Sequence, residues 1–249
     1  MPILRYAAAG WLFLVARVAW AGPPAPLQCV EKYYGARAVE KDGAWFADLG
    51  GGRLHPYDDH REKNFDAQLD APDLKDMFAQ PYRKGPIRPV TVENDDPGRI
   101  RVDALFQLAY PNASLQKGTF LGRPVRVQAK IAPALARVEQ RLDKAIAADP
   151  SLRKFLTKLG GTFNARTIAG TSRTSAHSYG VALDIDPSAS DYWRWQKQGP
   201  LRWVNRVPQT IVDAFEAEGF IWGGRWYHFD TMHFEYRPEL LDESCRPSG

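Results

Sequence analysis

The sequence predicts a mixed α+β fold. Several runs carry apolar residues three and four positions apart, as on one face of a helix, and several shorter runs have the character of strands. These elements follow one another without the strand–helix–strand rhythm of a parallel sheet, which favours α+β over α/β. Of the 249 residues, 44% are apolar and 25% are charged, a composition typical of a chain with an ordinary buried core.

The helices are predicted from apolar spacing and from their boundary residues. Pro133 opens one of them in the first turn, where proline is tolerated, and the apolar face of this helix is Leu135, Val138, Leu142 and Ile146. The predicted helical segments are residues 73–79, 101–110, the run from Pro133, 150–159 and 208–218. The predicted strands are residues 124–128, 162–168, 181–186 and 232–236.

The chain divides into four predicted segments. Residues 1–21 form a signal peptide, and residues 22–117 form an N-terminal extension that is partly helical. We expect the extension to be irregular up to residue 70, because that part is rich in glycine, proline and aspartate. Residues 118–241 form the compact domain, and residues 242–249 form a C-terminal tail.

The signal peptide is predicted from a charged start, an apolar run and a cleavage pattern. Arg5 supplies the charge, residues 7–19 are mostly apolar, and the tripeptide ending at Ala21 has the small-x-small form. We expect cleavage after Ala21 and export to the periplasm or cell envelope. Retention as an uncleaved anchor is the alternative, but Arg17 interrupts a run that is already short for a bilayer. No stable membrane span is expected after cleavage.

The charge of the chain argues against a nucleic-acid partner. The formal net charge is +4, and the predicted cleavage would remove two arginines and no acid. No basic run with interleaved aromatic residues occurs on one element, so nucleic acid is not expected. The sequence does not indicate an oligomeric state.

The two cysteines, Cys29 and Cys245, lie near the two ends of the mature chain. An even number of cysteines in an exported protein predicts a disulfide, which would tie the two ends together. Two unpaired thiols on the terminal segments are the alternative. Neither cysteine belongs to a C-x-x-C pair, so a cysteine zinc site is not predicted.

Two polar stretches carry three of the five histidines: S-A-H-S-Y-G-V-A-L-D, residues 175–184, and W-Y-H-F-D-T-M-H-F-E, residues 226–235. A straight strand would point His177 and Asp184 to opposite faces, because they are an odd number of residues apart. Gly180 lies between them and allows a turn. The first stretch can therefore aim both side chains at one place.

The second stretch adds a third ligand and a proton acceptor. If it lies beside the first, His233 converges with His177 and Asp184, and two imidazoles with one carboxylate are a catalytic zinc set that leaves a position for water. Asp230 is then the candidate acceptor of a proton from that water. The residues alone leave another interpretation open, in which these side chains cap turns, fill the core or face solvent independently.

The first stretch resembles the S-x-H-x-x-G-x-A-x-D signature of the M15 metallopeptidases, and the second resembles their later acid-x-x-His motif. The resemblance implies one zinc ion per chain, held by His177, Asp184 and His233, with Asp230 as the general base. Many members have glutamate at the base position. Aspartate, together with W-G-G and D-x-x-H-F-E, is closer to the endopeptidase-like subgroup of the family.

The resemblance also suggests residues that contact the substrate. An arginine upstream of the first ligand commonly helps to bind substrate in this family, and Arg166 matches it, with Arg173 as the alternative. Arg166 is expected to act with Asp230 in catalysis by stabilising the developing oxyanion, or instead to hold a substrate carboxylate. Ser175 and Tyr179 are expected to line the pocket, and Trp226 to form a wall of the cleft. For these three, support of the loop or packing in the core is the alternative role.

The resemblance implies both a fold and an activity. The fold is a small antiparallel sheet flanked by helices, the M15 or hedgehog-like zinc peptidase fold, with zinc on the sheet. The activity is hydrolysis of peptide bonds in peptidoglycan stem peptides, of the D-Ala-D-Ala carboxypeptidase or L-Ala-D-Glu endopeptidase type. The alternatives are a non-catalytic zinc-containing peptidoglycan-binding module and a metal-free structural exported protein.

Overall fold

The structure is a computed structural model, and it describes residues 22–247. The predicted signal peptide, residues 1–21, lies outside the described residues. The part of the chain that is described has the mixed α+β architecture predicted from the sequence, with helices around small antiparallel sheets.

The N-terminal extension is more regular than the sequence analysis predicts. It begins with helix α1, Ala25–Tyr34, and continues into an antiparallel sheet of β1 (Arg37–Lys41), β2 (Ala44–Asp48) and β3 (Leu54–Pro56), in the order β1-β2-β3. The prediction of an irregular segment was wrong here. The pair Asp42-Gly43 joins β1 to β2 with positive φ at both residues, which is the tight-turn geometry that favours a hairpin.

Three short helices complete the extension: α2 (Phe65–Asp70), α3 (Leu74–Phe78) and α4 (Asp103–Ala109). The helices predicted at 73–79 and 101–110 are therefore confirmed. Asp73 caps α3, because its side chain accepts a hydrogen bond from the backbone N–H of Asp76.

A hairpin and a long helix follow. The hairpin pairs β4 (Leu115–Phe120) with β5 (Arg123–Gln128), and helix α5 is Ala132–Ala148. The predicted face of α5 is buried, as its 3.6-residue period requires. The domain boundary predicted between residues 117 and 118 falls inside β4, and one hydrophobic core extends across it.

The segment after α5 differs from the prediction. Residues 150–155 form a 3-10 helix within the helical segment predicted at 150–159. The strand predicted at 162–168 is wrong. Its backbone makes isolated hydrogen bonds, with Phe163 donating to Arg126 of β5 and Asn164 donating to His177. The strand-like pattern of residues 162–168 therefore belongs to a loop that packs beside the central sheet.

The central sheet consists of β6 (Ala182–Asp184), β7 (Phe220–Trp222) and β8 (His233–Tyr236). The strands are antiparallel and lie in the order β6-β8-β7. Helix α6, Gln209–Glu216, precedes β7, and helix α7, Pro238–Leu241, follows β8. The small antiparallel sheet flanked by helices is thus observed.

The two faces of this sheet have opposite character. Leu183 and Phe234 are directly paired on one face, and the ring of Phe234 stacks on Phe215 of α6 with centroids 3.8 Å apart. Asp184 and His233 are paired on the other face. Because side chains alternate along a strand, burial of Leu183 and Phe234 on one face of the sheet places Asp184 and His233 on the other face.

A disulfide joins Cys29 of α1 to Cys245 near the C-terminal end of the described chain, as the cysteine count predicts. The same region holds a buried ion-pair cluster, in which Arg237 donates to Glu239 and the hydroxyl of Tyr34 donates to the same carboxylate. The extension is therefore tied to the end of the sheet. Within residues 22–247, helices of the length and hydropathy needed to cross a bilayer are not found.

Candidate active site

Asp184 and His233 meet because β6 and β8 are paired in this register. Asp184 lies directly opposite His233, and residues opposite one another in an antiparallel pair point to the same face. The distance from Asp184 Oδ1 to His233 Nδ1 is 2.9 Å. Two of the three predicted ligands are thus brought together by strand pairing alone.

His177 reaches the same place from a short 3-10 helix, Ala176–Tyr179, that ends at Gly180. Gly180 has φ +67°, and a Cβ there would lie 2.5 Å from Leu115 and 3.2 Å from the backbone nitrogen of Gln128. Glycine is therefore required by both conformation and space. The turn leaves His177 Nε2 3.2 Å from Asp184 Oδ2, which is the convergence that the sequence analysis predicted.

The spacing of these atoms fits a tetrahedral metal ion. His177, Asp184 and His233 each offer a ligand atom, and these atoms lie within 4.8 Å of one another. With bonds of about 2.1 Å, the ligand atoms of a tetrahedral zinc site lie about 3.4 Å apart. The two separations from Asp184, 2.9 and 3.2 Å, are close to this value. Two imidazoles and a carboxylate are also the donor types of catalytic zinc.

Neighbouring groups orient both imidazoles for this role. His177 Nδ1 lies 2.7 Å from the carbonyl oxygen of Thr162, so an Nδ1–H donated to that oxygen leaves Nε2 free. His233 Nε2 lies 3.6 Å from Glu235 Oε2, which leaves Nδ1 facing Asp184. The hydrogen bond to Thr162 fixes the tautomer of His177, as outer partners do for metal-binding histidines, whereas Glu235 acts on His233 through its charge.

Glu235 is itself held by two arginines. Its carboxylate is fully buried and lies 3.4 Å from Arg101 Nη1 and 3.2 Å from Arg237 Nη1. Burial by itself would raise the pKa of Glu235, but Arg101, His233 and Arg237 outweigh it and lower the pKa to about 2. Glu235 therefore remains a carboxylate beside His233 at all ordinary pH values.

Asp230 lies beside the three ligand candidates in a position suited to proton transfer. Its backbone carbonyl accepts a hydrogen bond from the N–H of His233. Its Oδ1 is buried and has no hydrogen-bond partner within the described residues. Burial, and then the negative charge of Asp184, raise the pKa of Asp230 to about 7. A carboxylate with a free oxygen and such a pKa can both accept and return a proton.

The charges of the ligand candidates are strongly coupled. Burial opposes the charged form of Asp184, but hydrogen bonds with His177 and His233 hold the pKa of Asp184 well below its usual value. Burial likewise lowers the pKa of His233, and the hydrogen bonds to Asp184 and Glu235 outweigh it, raising the pKa to about 10. A divalent cation at this place would replace the imidazolium charge and release its proton.

A cleft of about 140 Å³ opens onto these residues. Four of the residues predicted to contact substrate line it: Arg166, Arg173, Ser175 and Trp226. Tyr179 does not line it, which corrects the expectation from the sequence. The 3-10 helix turns the ring of Tyr179 into the core, where it packs on Phe106 with centroids 5.3 Å apart.

The two predicted arginines differ in their partners. Arg173 Nη1 lies 2.9 Å from Asp70 Oδ1 in α2. Arg166 bonds Thr167 through a long contact of 3.4 Å to the carbonyl oxygen and has no carboxylate partner within residues 22–247. Arg166 is therefore the arginine whose charge is available to a ligand.

Several lining residues were not predicted from the sequence. They come from the N-terminal extension and from the segment between β6 and α6, outside both motifs, and they are Arg99, Arg101, Tyr192, Trp193 and Arg194. His228, the other histidine of the second stretch, also lines the cleft. No local pattern marks these positions, because the fold alone brings them to the motifs.

A second acidic group in the described part of the chain has a different explanation. Asp58, Asp59 and Asp73 have oxygens close enough together to bind a metal ion. Lys63, however, is buried among them, with Nζ 2.8 Å from Asp59 and 3.2 Å from Asp73. Asp58 is in turn paired with Lys75 at 2.7 Å, so each of the three carboxylates already has a lysine partner and the group is an ion-pair network.

Comparison with known proteins identifies the family of the segment that carries the site. Residues 169–236 match the family model described as D-alanyl-D-alanine carboxypeptidase, an M15 peptidase family. The matched segment contains His177, Asp184, Asp230 and His233 and leaves out Arg166. None of the curated proteins matches the chain.

Proposed function

We propose that the protein is a zinc-dependent peptidase of bacterial peptidoglycan stem peptides, because residues 169–236 match the model of an M15 peptidase family. The bond cut would be of the D-Ala-D-Ala carboxypeptidase or the L-Ala-D-Glu endopeptidase type. One observation carries the proposal. The ligand atoms of His177, Asp184 and His233 lie within 4.8 Å of one another, in the same cleft as Asp230.

In this proposal His177, Asp184 and His233 hold one zinc ion per chain. Zinc bound there would polarise the scissile carbonyl and lower the pKa of a water molecule to about 7. The donor set, the spacing and the fixed tautomer of His177 support the assignment. The carboxylate of Asp184 faces both histidines, one with each oxygen.

Asp230 acts as the general base. Its unpartnered Oδ1 can accept a proton from the attacking water and later return it to the leaving amine. A positioned general base contributes roughly 10²–10⁴-fold to a rate. Aspartate at this position serves the same purpose as the glutamate found in many relatives, with a side chain one methylene shorter.

Arg166 binds an anionic group of the substrate. It lines the cleft, it is exposed, and its guanidinium has no carboxylate partner among the described residues. A guanidinium can hold a carboxylate through two parallel hydrogen bonds. Stem peptides carry free carboxylates, so the charge of Arg166 suits this substrate class. Arg173 is the weaker assignment because Asp70 already engages it.

The signal peptide and the export that it implies belong to the same proposal. A periplasmic or cell-envelope location would bring the enzyme to peptidoglycan, and an oxidising compartment agrees with the Cys29–Cys245 disulfide. Fractionation of cells that express the full chain tests this location. Mass determination of the purified mature protein tests cleavage after Ala21.

Digestion of purified cell wall tests the activity and identifies the bond. The zinc-loaded protein is incubated with peptidoglycan and with isolated muropeptides, and the products are analysed by mass spectrometry. Loss of a terminal alanine would indicate a carboxypeptidase, and release between L-Ala and D-Glu an endopeptidase. If no muropeptide is cut by the zinc-loaded protein, the peptidase proposal is wrong.

The alternative is a zinc-containing peptidoglycan-binding module without turnover. A binding module needs no proton acceptor, and the buried, unpartnered oxygen of Asp230 favours the enzyme. The variant Asp230→Ala separates the two. For an enzyme we expect zinc to remain bound and kcat to fall by about 100-fold or more, whereas a binding module would show no hydrolysis to lose.

A further inference from the structure

His228 is held in the cleft by a carboxylate from the N-terminal extension. Its Nδ1 lies 2.6 Å from Asp96 Oδ2, and its backbone N–H donates to Asp96 Oδ1 at 2.9 Å. Asp96 is fully buried, and Arg99 donates to it at 2.6 Å. Both oxygens of Asp96 are therefore used to hold His228 and the neighbouring arginine.

Aromatic rings fix the orientation of the imidazole further. The ring of Phe65 lies nearly parallel to it, 7° off, with centroids 6.4 Å apart. The ring of Trp193 packs edge-on at 4.8 Å. The side chain of His228 nevertheless remains 20% exposed and lines the cleft together with Asp230. Asp96, Phe65 and Trp193 thus hold the ring in place, and its remaining edge faces the cleft.

The hydrogen bond to Asp96 also determines which ring nitrogen of His228 can accept a hydrogen bond in the cleft. Since Nδ1–H is donated to Asp96, the neutral imidazole carries its free lone pair on Nε2. Within residues 22–247, Nε2 of His228 makes no hydrogen bond. Asp96 fixes this tautomer, just as outer carboxylates do for metal-bound histidines. If the imidazole of His228 only packed against its neighbours, it would not need a buried carboxylate as a hydrogen-bond partner.

We propose that His228 is a substrate-binding residue whose Nε2 accepts a hydrogen bond from an N–H of the bound peptide. Asp96 is the positioning residue that fixes this tautomer, so the N-terminal extension completes the peptide site. The inference rests on the proposed function for the class of ligand, a peptide. It adds an acceptor to a cleft whose lining is rich in arginines.

Two substitutions separate substrate binding from a structural role. The amide of asparagine occupies the place of Nδ1, so His228→Asn keeps a donor to Asp96 and removes the acceptor in the cleft. The amide of glutamine reaches the place of Nε2, so His228→Gln keeps an acceptor in the cleft and removes the donor to Asp96. A structural histidine tolerates the first change better, and a substrate-binding histidine tolerates the second better.

The experiment measures binding without turnover. Calorimetry is carried out on zinc-loaded Asp230→Ala protein with a synthetic stem pentapeptide ending in D-Ala-D-Ala. Zinc content and melting temperature are recorded for every variant. We expect His228→Asn to weaken peptide binding by about 3- to 10-fold, the value of one hydrogen bond. His228→Gln should weaken it less, although its melting temperature falls more.

The opposite order of affinities would overturn the inference, and so would equal affinities in the two variants. Absence of any peptide binding by the Asp230→Ala protein would overturn it as well. Failure of the proposed function has a different signature. In that case the protein with native Asp230 cuts no muropeptide, while His228→Asn still weakens peptide binding.

Discussion

Glu235 Oε2 lies 3.6 Å from Nε2 of His233, two residues earlier on the same face of β8. Through Arg101 and Arg237 this carboxylate connects the proposed metal site to the N-terminal extension and to the buried ion-pair cluster. The proposed metal ligands are thus supported through Arg101 and Arg237, which lie outside both sequence motifs.

The substitution Glu235→Gln is expected to weaken zinc binding by about 10- to 100-fold, as the loss of an outer carboxylate typically does. The reason is that an amide lacks the negative charge through which Glu235 acts on His233. Competition with a fluorescent chelator measures the affinity. Glu243→Gln is the matched control, because Glu243 is 81% exposed. Equal affinities in the two variants would show that Glu235 does not support the site.

Gly180→Ala is expected to destabilise the protein and to weaken zinc binding. The methyl group would face Leu115 at 2.5 Å in a conformation with φ +67°. Gly122→Ala is the matched control, since Gly122 has φ +70° but nothing within 4 Å. Strain alone costs about 1 kcal/mol, and the clash adds about 1–3 kcal/mol.

Denaturant melts and chelator competition check this expectation together. Gly122→Ala should lose a little stability and no zinc affinity, whereas Gly180→Ala should lose more of both. If the two variants behave alike, the close approach of Gly180 to the β4–β5 hairpin does not position His177.

Reduction of the Cys29–Cys245 disulfide is expected to lower stability by about 2–5 kcal/mol. The bond spans 216 residues of sequence and ties α1 to the C-terminal segment. Thermal melts of the oxidised protein, the reduced protein and the double variant Cys29→Ala/Cys245→Ala measure the loss. The reduced protein and the double variant should melt together and below the oxidised protein. Coincidence of all three melts would contradict the expectation.

Asp96→Asn is expected to lower the free energy of unfolding in a pH-dependent way. Burial alone would raise the pKa of Asp96, but the hydrogen bond from His228 and the charge of Arg99 hold it below its usual value. A depressed carboxyl pKa contributes stability above the unfolded value of about 3.9, and that contribution is lost as the pH falls through the folded value.

The difference between wild type and Asp96→Asn should therefore be greatest near neutral pH, at about 3–5 kcal/mol, and should narrow below about pH 4. Denaturant melts at a series of pH values measure it. Asp143→Asn, at an exposed position, is the control and should show little difference at any pH. A difference that does not change with pH would mean that the charge of Asp96 is not what matters.

The central sheet and the convergence of the two motifs could be predicted because both signals are local. Asp184 and His233 lie on short strands with recognisable patterns, and Gly180 marks the turn that brings His177 to them. Helix α5 could be predicted in the same way, from the helical spacing of its apolar residues. Such signals are contained within ten or so residues of sequence.

The remaining walls of the cleft could not be predicted, since they depend on contacts between distant segments. Asp96 meets His228 across 132 residues, and Arg101 meets Glu235 across 134. The N-terminal hairpin had a local signal in Asp42-Gly43, which the composition of its surroundings obscured. The segment 162–168 had a strand-like pattern, but its backbone makes isolated hydrogen bonds instead of a strand ladder.

Crystals of the zinc-soaked protein, measured with X-rays at the zinc absorption edge, test the central claim most directly. We expect one anomalous peak per chain, about 2.0–2.2 Å from His177 Nε2, a carboxylate oxygen of Asp184 and His233 Nδ1. A peak at the Asp58, Asp59 and Asp73 cluster instead, or no peak beside Asp184, would contradict the account.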